Sequence, residues 1–142
     1  MHAVFLDYKT VDANDLDLGS IKALLPEIVI YSFSNEEEVL TRIEDAEVAI
    51  ANKVVFDANV FARATKLKLI CVTATGTNNI DLEAAKQSGV VVCNIRDYCT
   101  DSVVQHVLLS ILTLKHSSRD YSASMDNGDW QEGNSFSLLQ HP

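Results

Sequence analysis

The segment of this 142-residue chain best suited to chemistry is TATGTNN at residues 73–79, where small side chains surround a single glycine. It follows an apolar run that predicts a strand and precedes the start of a predicted helix. Backbone N–H groups exposed at such a point bind anions well, because little side-chain bulk blocks them and the helix N-terminus favours negative charge. A plain βα turn explains the same spacing equally well.

Two further segments are predicted to emerge at the same edge of a parallel sheet. Asn52 and Lys53 follow the third apolar run, and residues 94–100 follow the fifth. Ligands of parallel α/β sheets bind beyond the carboxyl ends of the strands, so the three segments are expected to converge there. Lys53 would add positive charge to that crevice. Taken alone, such a residue is more often a solvated surface lysine.

The histidines and cysteines predict neither a metal site nor a disulfide framework, because neither set shows ligand spacing or a C-x-x-C pair. They are His2, His106, His116, His141, Cys71, Cys93 and Cys99. His106 lies in an apolar helical stretch and is interpreted as a packed or interface histidine rather than a catalytic one. Cys71 and Cys93 are interpreted as small core residues. Cys99 is predicted to be exposed, and a reactive-thiol role for it is the weaker hypothesis.

Five short apolar runs, separated by segments with helix signals, predict the elements that position these residues. The runs are residues 3–6, 27–31, 48–51, 67–73 and 90–93. Helix starts are indicated by Asn35 before three glutamates and by Asp81, and Gly89 ends the second of these helices. The alternation predicts an α/β fold with a flavodoxin-like, doubly wound parallel sheet.

A long helix is predicted to follow this sheet. Ser102 and Gln105 have capping-box spacing, and apolar residues then cover most of the helix circumference over residues 102–116. Such a helix requires a covering partner. The mostly polar residues 117–142 offer none, and they suggest turns at 127–128 and 132–134, with Trp130 packing the tail rather than stacking on a ligand.

The composition excludes several classes of partner. Eleven basic and 20 acidic side chains give a formal net charge of −9, and the basic residues are scattered, which disfavours nucleic acid and anionic membranes. The longest apolar run, residues 107–114, is far shorter than the ~20 residues of a membrane span. The N-terminus has no basic region before its apolar stretch, so no signal peptide is predicted and a cytoplasmic location is expected.

The sequence resembles the D-isomer-specific 2-hydroxyacid dehydrogenases, most closely the glycerate dehydrogenase and hydroxypyruvate reductase branch. The resemblance depends on TGTNNIDLEAA at 75–85, GVVVCN at 89–94 and TDSVVQH at 100–106, with support from NKV at 52–54 and NGDW at 127–130. It implies a substrate-binding domain over residues 1–98. Residues 99–142 would be the crossing helix and the start of a nucleotide-binding domain, truncated before the Rossmann glycine motif. The family's C-terminal segment returns to pack on the substrate domain.

The same resemblance implies roles for individual residues. Thr75 and Gly76 would offer backbone N–H groups to the substrate carboxylate, and Asn52 and Lys53 would line the substrate pocket. Thr100 would lie near the nicotinamide end of the cofactor, with Val104 on the same helix face.

No catalytic residue of the family is matched. The catalytic arginine, carboxylate and histidine have no counterpart motif here, so Arg96, Arg119, His106 and His116 are assigned none of those roles.

The implied function is the N-terminal part of an NAD(P)-dependent oxidoreductase that interconverts 2-oxo acids and D-2-hydroxy acids, of the hydroxypyruvate/glycerate or glyoxylate/glycolate type. NAD or NADP would serve the full-length enzyme, whereas the 142 residues alone are expected to be inactive and to bind neither tightly. The alternative is a stand-alone, non-catalytic α/β module that acts by self-association. In either case a homodimer through helix 102–116 is expected.

Overall fold

A five-stranded parallel sheet organises the first 96 residues of the computed structural model, which describes residues 1–128. The strands are β1 (Ala3–Phe5), β2 (Val29–Ile30), β3 (Val48–Ala51), β4 (Leu69–Val72) and β5 (Val91–Asn94), in the spatial order β2-β1-β3-β4-β5. The connecting helices are α1 (Gly19–Leu24), α2 (Glu36–Ile43), α3 (Ala58–Arg63) and α4 (Leu82–Gln87), with a 3₁₀ turn at Tyr8–Thr10. All five predicted strands are confirmed, and the strand order is the flavodoxin-like one.

The strand order reverses at β1, which has β2 on one side and β3 on the other. β1 and β3 are buried along their whole length, as their uninterrupted apolar sequences require. β2 is an edge strand of two residues, shorter than the predicted run, with Val29 exposed. The central pair is therefore the most completely buried part of the sheet.

One face of the sheet carries the hydrophobic core. Alternate side chains of the inner strands, including Val4, Ala49 and Ile70, pack there with Ile43 and Phe61. Helices α2, α3 and α4 contact one another in sequence, as right-handed crossovers onto a common face require.

The opposite face is buried only around its centre. Val48 is buried, but Val91, on β5 in register with Leu69, is 58% exposed, and Cys93 is exposed beside half-buried Cys71. The prediction that Cys93 is a core residue is therefore wrong. The reason is that β5 is an edge strand, and α1, the one helix of residues 1–96 that handedness places on this face, has no buried residue.

Side-chain caps begin the helices of the core face. Asn35 caps α2 in a reciprocal capping box with Glu38, at 2.9 and 2.8 Å. The Asp81 carboxylate accepts the Ala84 amide at 2.9 Å at the start of α4, and Gly89 follows that helix with φ +70°. These predicted caps are confirmed, because local hydrogen bonding alone is enough to specify them.

A second compact unit begins at Asp97 and contains α5 (Thr100–Lys115) and α6 (Ser118–Asp126). The predicted long helix is present, but the predicted capping box is wrong. Cys99 is the N-cap residue and makes no side-chain capping bond, and the Ser102 hydroxyl donates backwards to the Cys99 carbonyl at 3.1 Å. Residues 127–128 form the predicted turn, whereas α6 was not predicted, because its polar composition shows no apolar periodicity. The predictions for Trp130 and residues 132–134 lie outside the described residues.

None of the helices within residues 1–128 is long and apolar enough to cross a bilayer.

The unequal burial of the two faces predicts unequal costs of truncation. Ile70→Ala, at a fully buried position, is expected to lower the free energy of unfolding by about 2–5 kcal/mol, through lost burial and a residual cavity. Val91→Ala, on the open face, is expected to cost less than about 1 kcal/mol. Urea denaturation of the two variants measures both values. Equal losses would contradict the asymmetry.

Candidate functional site

The candidate site lies at the carboxyl ends of β1 and β3, where the strand order reverses. At such a switch point the chain connections leave in opposite directions and open a crevice above the sheet. Asp7 follows β1, and the β3–α3 loop, residues 52–57, follows β3. The β4–α4 loop, residues 73–81, emerges beside it.

Asp7 is the one buried charged or polar residue among those the structure describes, with 3% of its surface exposed. Its carboxylate accepts backbone N–H groups from three consecutive residues of the β3–α3 loop. The Asn52 amide lies 2.9 Å from Oδ1, and the Lys53 and Val54 amides lie 2.6 and 3.3 Å from Oδ2. Asp7 was not predicted as a site residue, although an acidic residue directly after an apolar strand lies at the functional edge of a parallel sheet.

The side chain of Asn52 is hydrogen-bonded as well. Its Nδ2 donates to the Thr10 hydroxyl at 3.0 Å, and that hydroxyl donates to the Asp7 carbonyl at 2.7 Å. Both the backbone N–H and the side chain of Asn52 therefore serve the scaffold.

Lys53 differs from Asn52 in that its side chain is exposed. Its ammonium group makes no ion pair or hydrogen bond with residues 1–128. Only its backbone amide is fixed, so the positive charge is available to a ligand at the edge of the sheet.

Asn79 joins the two loops. Its Nδ2 donates to the Val54 carbonyl at 2.7 Å, and its own carbonyl accepts the Phe56 amide at 2.9 Å. The Phe56 carbonyl in turn accepts the Asp81 amide at 2.9 Å. These bonds keep the β3–α3 and β4–α4 loops side by side.

Thr75 and Gly76 lie at the exposed tip of the β4–α4 loop. The Thr75 carbonyl is fixed by Asn94 Nδ2 at 2.7 Å, but the N–H groups of Thr75 and Gly76 donate to nothing within residues 1–128. A Cβ on Gly76 would lie 3.0 Å from the Asn78 side-chain oxygen. The glycine therefore lets the backbone pass close to Asn78 while its amide stays open to a ligand.

A cleft of about 730 Å³ lies between the first turns of α2 and α3. Lys53 contributes to its lining, whereas Thr75 and Gly76 do not. Three carboxylates, those of Glu36, Glu37 and Asp57, also line it. They would repel an anion, which makes this cleft a poor place for one.

The remaining predicted positions belong to the second unit. Thr100 and Val104 occupy the start of α5 four residues apart, so they share one helix face, and both are exposed. His106 is also exposed rather than packed. Cys99 is half-buried. The pKa of the Cys71 thiol is raised, first by burial and second by the charge of the neighbouring Cys93. No group of three potential metal ligands occurs in the described part of the chain.

The sequence profile of the D-isomer specific 2-hydroxyacid dehydrogenase catalytic domain matches residues 4–134. The chain belongs to this family. The matched span of this 2-hydroxyacid dehydrogenase domain contains every candidate site residue, in both units.

Three relatives illustrate the match. A putative 2-hydroxyacid dehydrogenase of Haemophilus influenzae is 38% identical, with 79% of this chain and 36% of that protein covered. The glycerate dehydrogenase of Methylorubrum extorquens is also 38% identical, covering 75% and 34%. The hydroxypyruvate reductase of Blautia hydrogenotrophica is 31% identical, covering 100% and 45%. The chain thus spans less than half the length of these relatives.

Two solved structures share the fold. The 3-phosphoglycerate dehydrogenase of Entamoeba histolytica, solved with bound NAD+, is 29% identical with a TM-score of 0.58, over 66% of this chain and 32% of that one. The TT0316 protein of Thermus thermophilus is 25% identical with a TM-score of 0.75, over 98% and 44%.

Proposed function

We propose that this chain binds the carboxylate of a small 2-oxo or 2-hydroxy acid within an NAD(P)-dependent dehydrogenase that interconverts the two. The observation that carries the proposal is that Thr75 and Gly76 are exposed residues just beyond β4 and that their N–H groups donate to nothing within residues 1–128. Membership of the 2-hydroxyacid dehydrogenase family supports the reaction class.

Local donors must bind the acid against an unfavourable overall charge. The chain carries a net charge of −9, so its long-range field repels an anion. Two amides in one loop and the unpaired ammonium group of Lys53 counter that field at short range, where charge-assisted hydrogen bonds are strongest. Asn52 supports the site by holding the β3–α3 loop rather than by donating to the acid.

The names of two relatives favour particular acids. Those relatives are a glycerate dehydrogenase and a hydroxypyruvate reductase, so hydroxypyruvate/glycerate is the first substrate pair to test, with glyoxylate/glycolate the second.

A nicotinamide cofactor supplies the hydride in this reaction class. Thr100 and Val104 offer it one small exposed helix face. The pyrophosphate of such a cofactor requires a G-x-G-x-x-G turn, and the 142 residues contain none. The chain therefore fits only the nicotinamide end, and the role of its residues 1–96 is to hold the carboxylate of the acid.

Titration of the ¹⁵N-labelled chain with hydroxypyruvate tests this proposal. The amide signals of Thr75 and Gly76 are expected to shift most at millimolar ligand. Lys53→Met is expected to raise the dissociation constant about three- to tenfold, because it removes an exposed positive charge from the site. Lys86→Met, which removes an exposed lysine from α4, is the matched control and leaves the affinity unchanged. Shifts that spare residues 75 and 76 would refute the site.

The isolated 142-residue chain is expected not to oxidise NADH in the presence of hydroxypyruvate or glyoxylate, because no residue in it matches the family's proton donor or carbonyl-polarising arginine. The decrease in NADH absorbance measures this directly, with a full-length relative as positive control. NADH-oxidising activity that copurifies with the chain would contradict the expectation.

Self-association is a second candidate function, favoured by the surface of α5. Its large apolar side chains are between 51% and 81% exposed and lie all around the helix. Apolar surface of this extent usually marks an interface. Two copies of the chain could cover it mutually through a two-fold contact.

Sedimentation velocity tests self-association by distinguishing a dimer from a monomer. The chain is expected to sediment as a dimer at tens of micromolar, and Leu109→Glu, at an exposed apolar position of α5, is expected to shift it to monomer. Leu24→Glu, at a leucine of α1 that is 80% exposed against 61% for Leu109, is the control. A wild-type chain that stays monomeric at high concentration would exclude the candidate.

A further inference from the structure

Asp7 lies where the sheet itself directs it toward the β3–α3 loop. β1 and β3 pair in parallel with Phe5 opposite Ile50, and the Leu6 amide extends that ladder to the Ile50 carbonyl at 3.0 Å. Two residues further along, the same register sets Asp7 opposite Asn52. Its side chain therefore reaches the first amides beyond β3.

Within residues 1–128, both carboxylate oxygens of Asp7 accept hydrogen bonds, and all the donors are backbone amides. Its three donors are consecutive N–H groups, those of Asn52, Lys53 and Val54. No cation pairs with Asp7 within residues 1–128. A buried carboxylate costs several kcal/mol unless its lone pairs are satisfied, so these three bonds are strongly constrained to persist.

Three convergent N–H groups at the end of a strand form a cradle that binds anions. At this edge of the sheet, the cradle of the β3–α3 loop would compete with Thr75 and Gly76 for the carboxylate of a small acid. Asp7 fills the cradle from inside the protein. The N–H groups of Thr75 and Gly76, by contrast, are bonded to no acceptor within residues 1–128.

The same bonds fix Lys53. Its amide makes the shortest of the three contacts, at 2.6 Å, while its side chain is exposed and unpaired. Asn79 holds the Val54 carbonyl from the opposite side at 2.7 Å. The backbone at residues 53 and 54 is thereby bonded to both Asp7 and the β4–α4 loop. These bonds fix the Cα atom from which the Lys53 side chain extends.

We infer that Asp7 is a positioning residue of the acid-binding site: it fills the amide cradle of the β3–α3 loop and thereby sets Lys53 beside Thr75 and Gly76. This inference rests on the proposed function, because it assumes that an acid binds at those residues.

The sign of one substitution separates positioning from simple electrostatics. Asp7→Asn removes a negative charge near an anion site, and charge alone would make an anion bind more tightly. Loss of the second acceptor oxygen frees at least one amide of the loop and lets Lys53 move, which makes an anion bind more weakly. Weaker binding in Asp7→Asn therefore cannot come from the change in charge.

The experiment is a hydroxypyruvate titration of the 142-residue chain, at a temperature where circular dichroism shows every variant fully folded. Asp7→Asn is expected to raise the dissociation constant by no more than the roughly three- to tenfold expected for Lys53→Met, because Asp7 acts through the position of Lys53. In a Lys53→Met background the same substitution is expected to add little, because residues that act through one another are not additive. Ile43→Val, which trims a buried side chain of α2, is the control for lost stability and leaves the affinity unchanged.

Hydrogen exchange provides a measurement that does not need the variant to fold. In the wild-type chain, the amides of Asn52 and Lys53 are expected to be protected, and those of Thr75 and Gly76 to exchange rapidly. Rapid exchange at residues 52 and 53 would overturn the inference.

The two proposals fail in different ways. If wild-type chain does not bind hydroxypyruvate, the proposed function fails and the inference fails with it. If wild-type chain binds and Asp7→Asn binds equally well or more tightly, the inference alone is overturned. Full additivity with Lys53→Met would also overturn it.

Discussion

The arrangement of the site depends on the hydrogen bonds between one buried carboxylate and three backbone amides. Where the strand order reverses, the chain connections diverge, and the ends of β1 and β3 have no further strand pairing to hold them together. Asp7 makes that link. The β3–α3 loop it holds is bonded through Asn79 to the β4–α4 loop, whose tip is fixed by Asn94. The unbonded amides of Thr75 and Gly76 are thus fixed in place through a short series of polar contacts that starts at Asp7.

Most of the sheet could be predicted because its information is local. An uninterrupted apolar run indicates a buried parallel strand, and Asn35, Asp81 and Gly89 mark helix ends through bonds to residues nearby. The errors occurred where neighbours in space decide the outcome. Cys93 has the sequence of a core residue but lies on an edge strand, and Ser102 has capping-box spacing but lies inside a helix that Cys99 begins.

The candidate site could be predicted in part for the same reason. Thr75 and Gly76 are recognisable from their own segment, and the structure adds that their amides are unbonded. Asp7 was missed because its partners lie 45 to 47 positions away and are backbone amides, which every residue except proline provides. Which donors are already used and which remain free, as at Asn52 and Gly76, is a property of the folded chain alone.

The burial of β1 and β3 has a consequence for motion. Strands that are enclosed on both sides and at both edges release their hydrogen bonds only when the whole domain unfolds, whereas exposed edges such as β2 and β5 fray at much lower free energy. Asp7 and the β3–α3 loop grow from the enclosed pair. Fraying of β2 and β5 therefore leaves the bonds of Asp7 intact, whereas the tip of the β4–α4 loop, which Asn94 of β5 fixes, follows the motion of that edge.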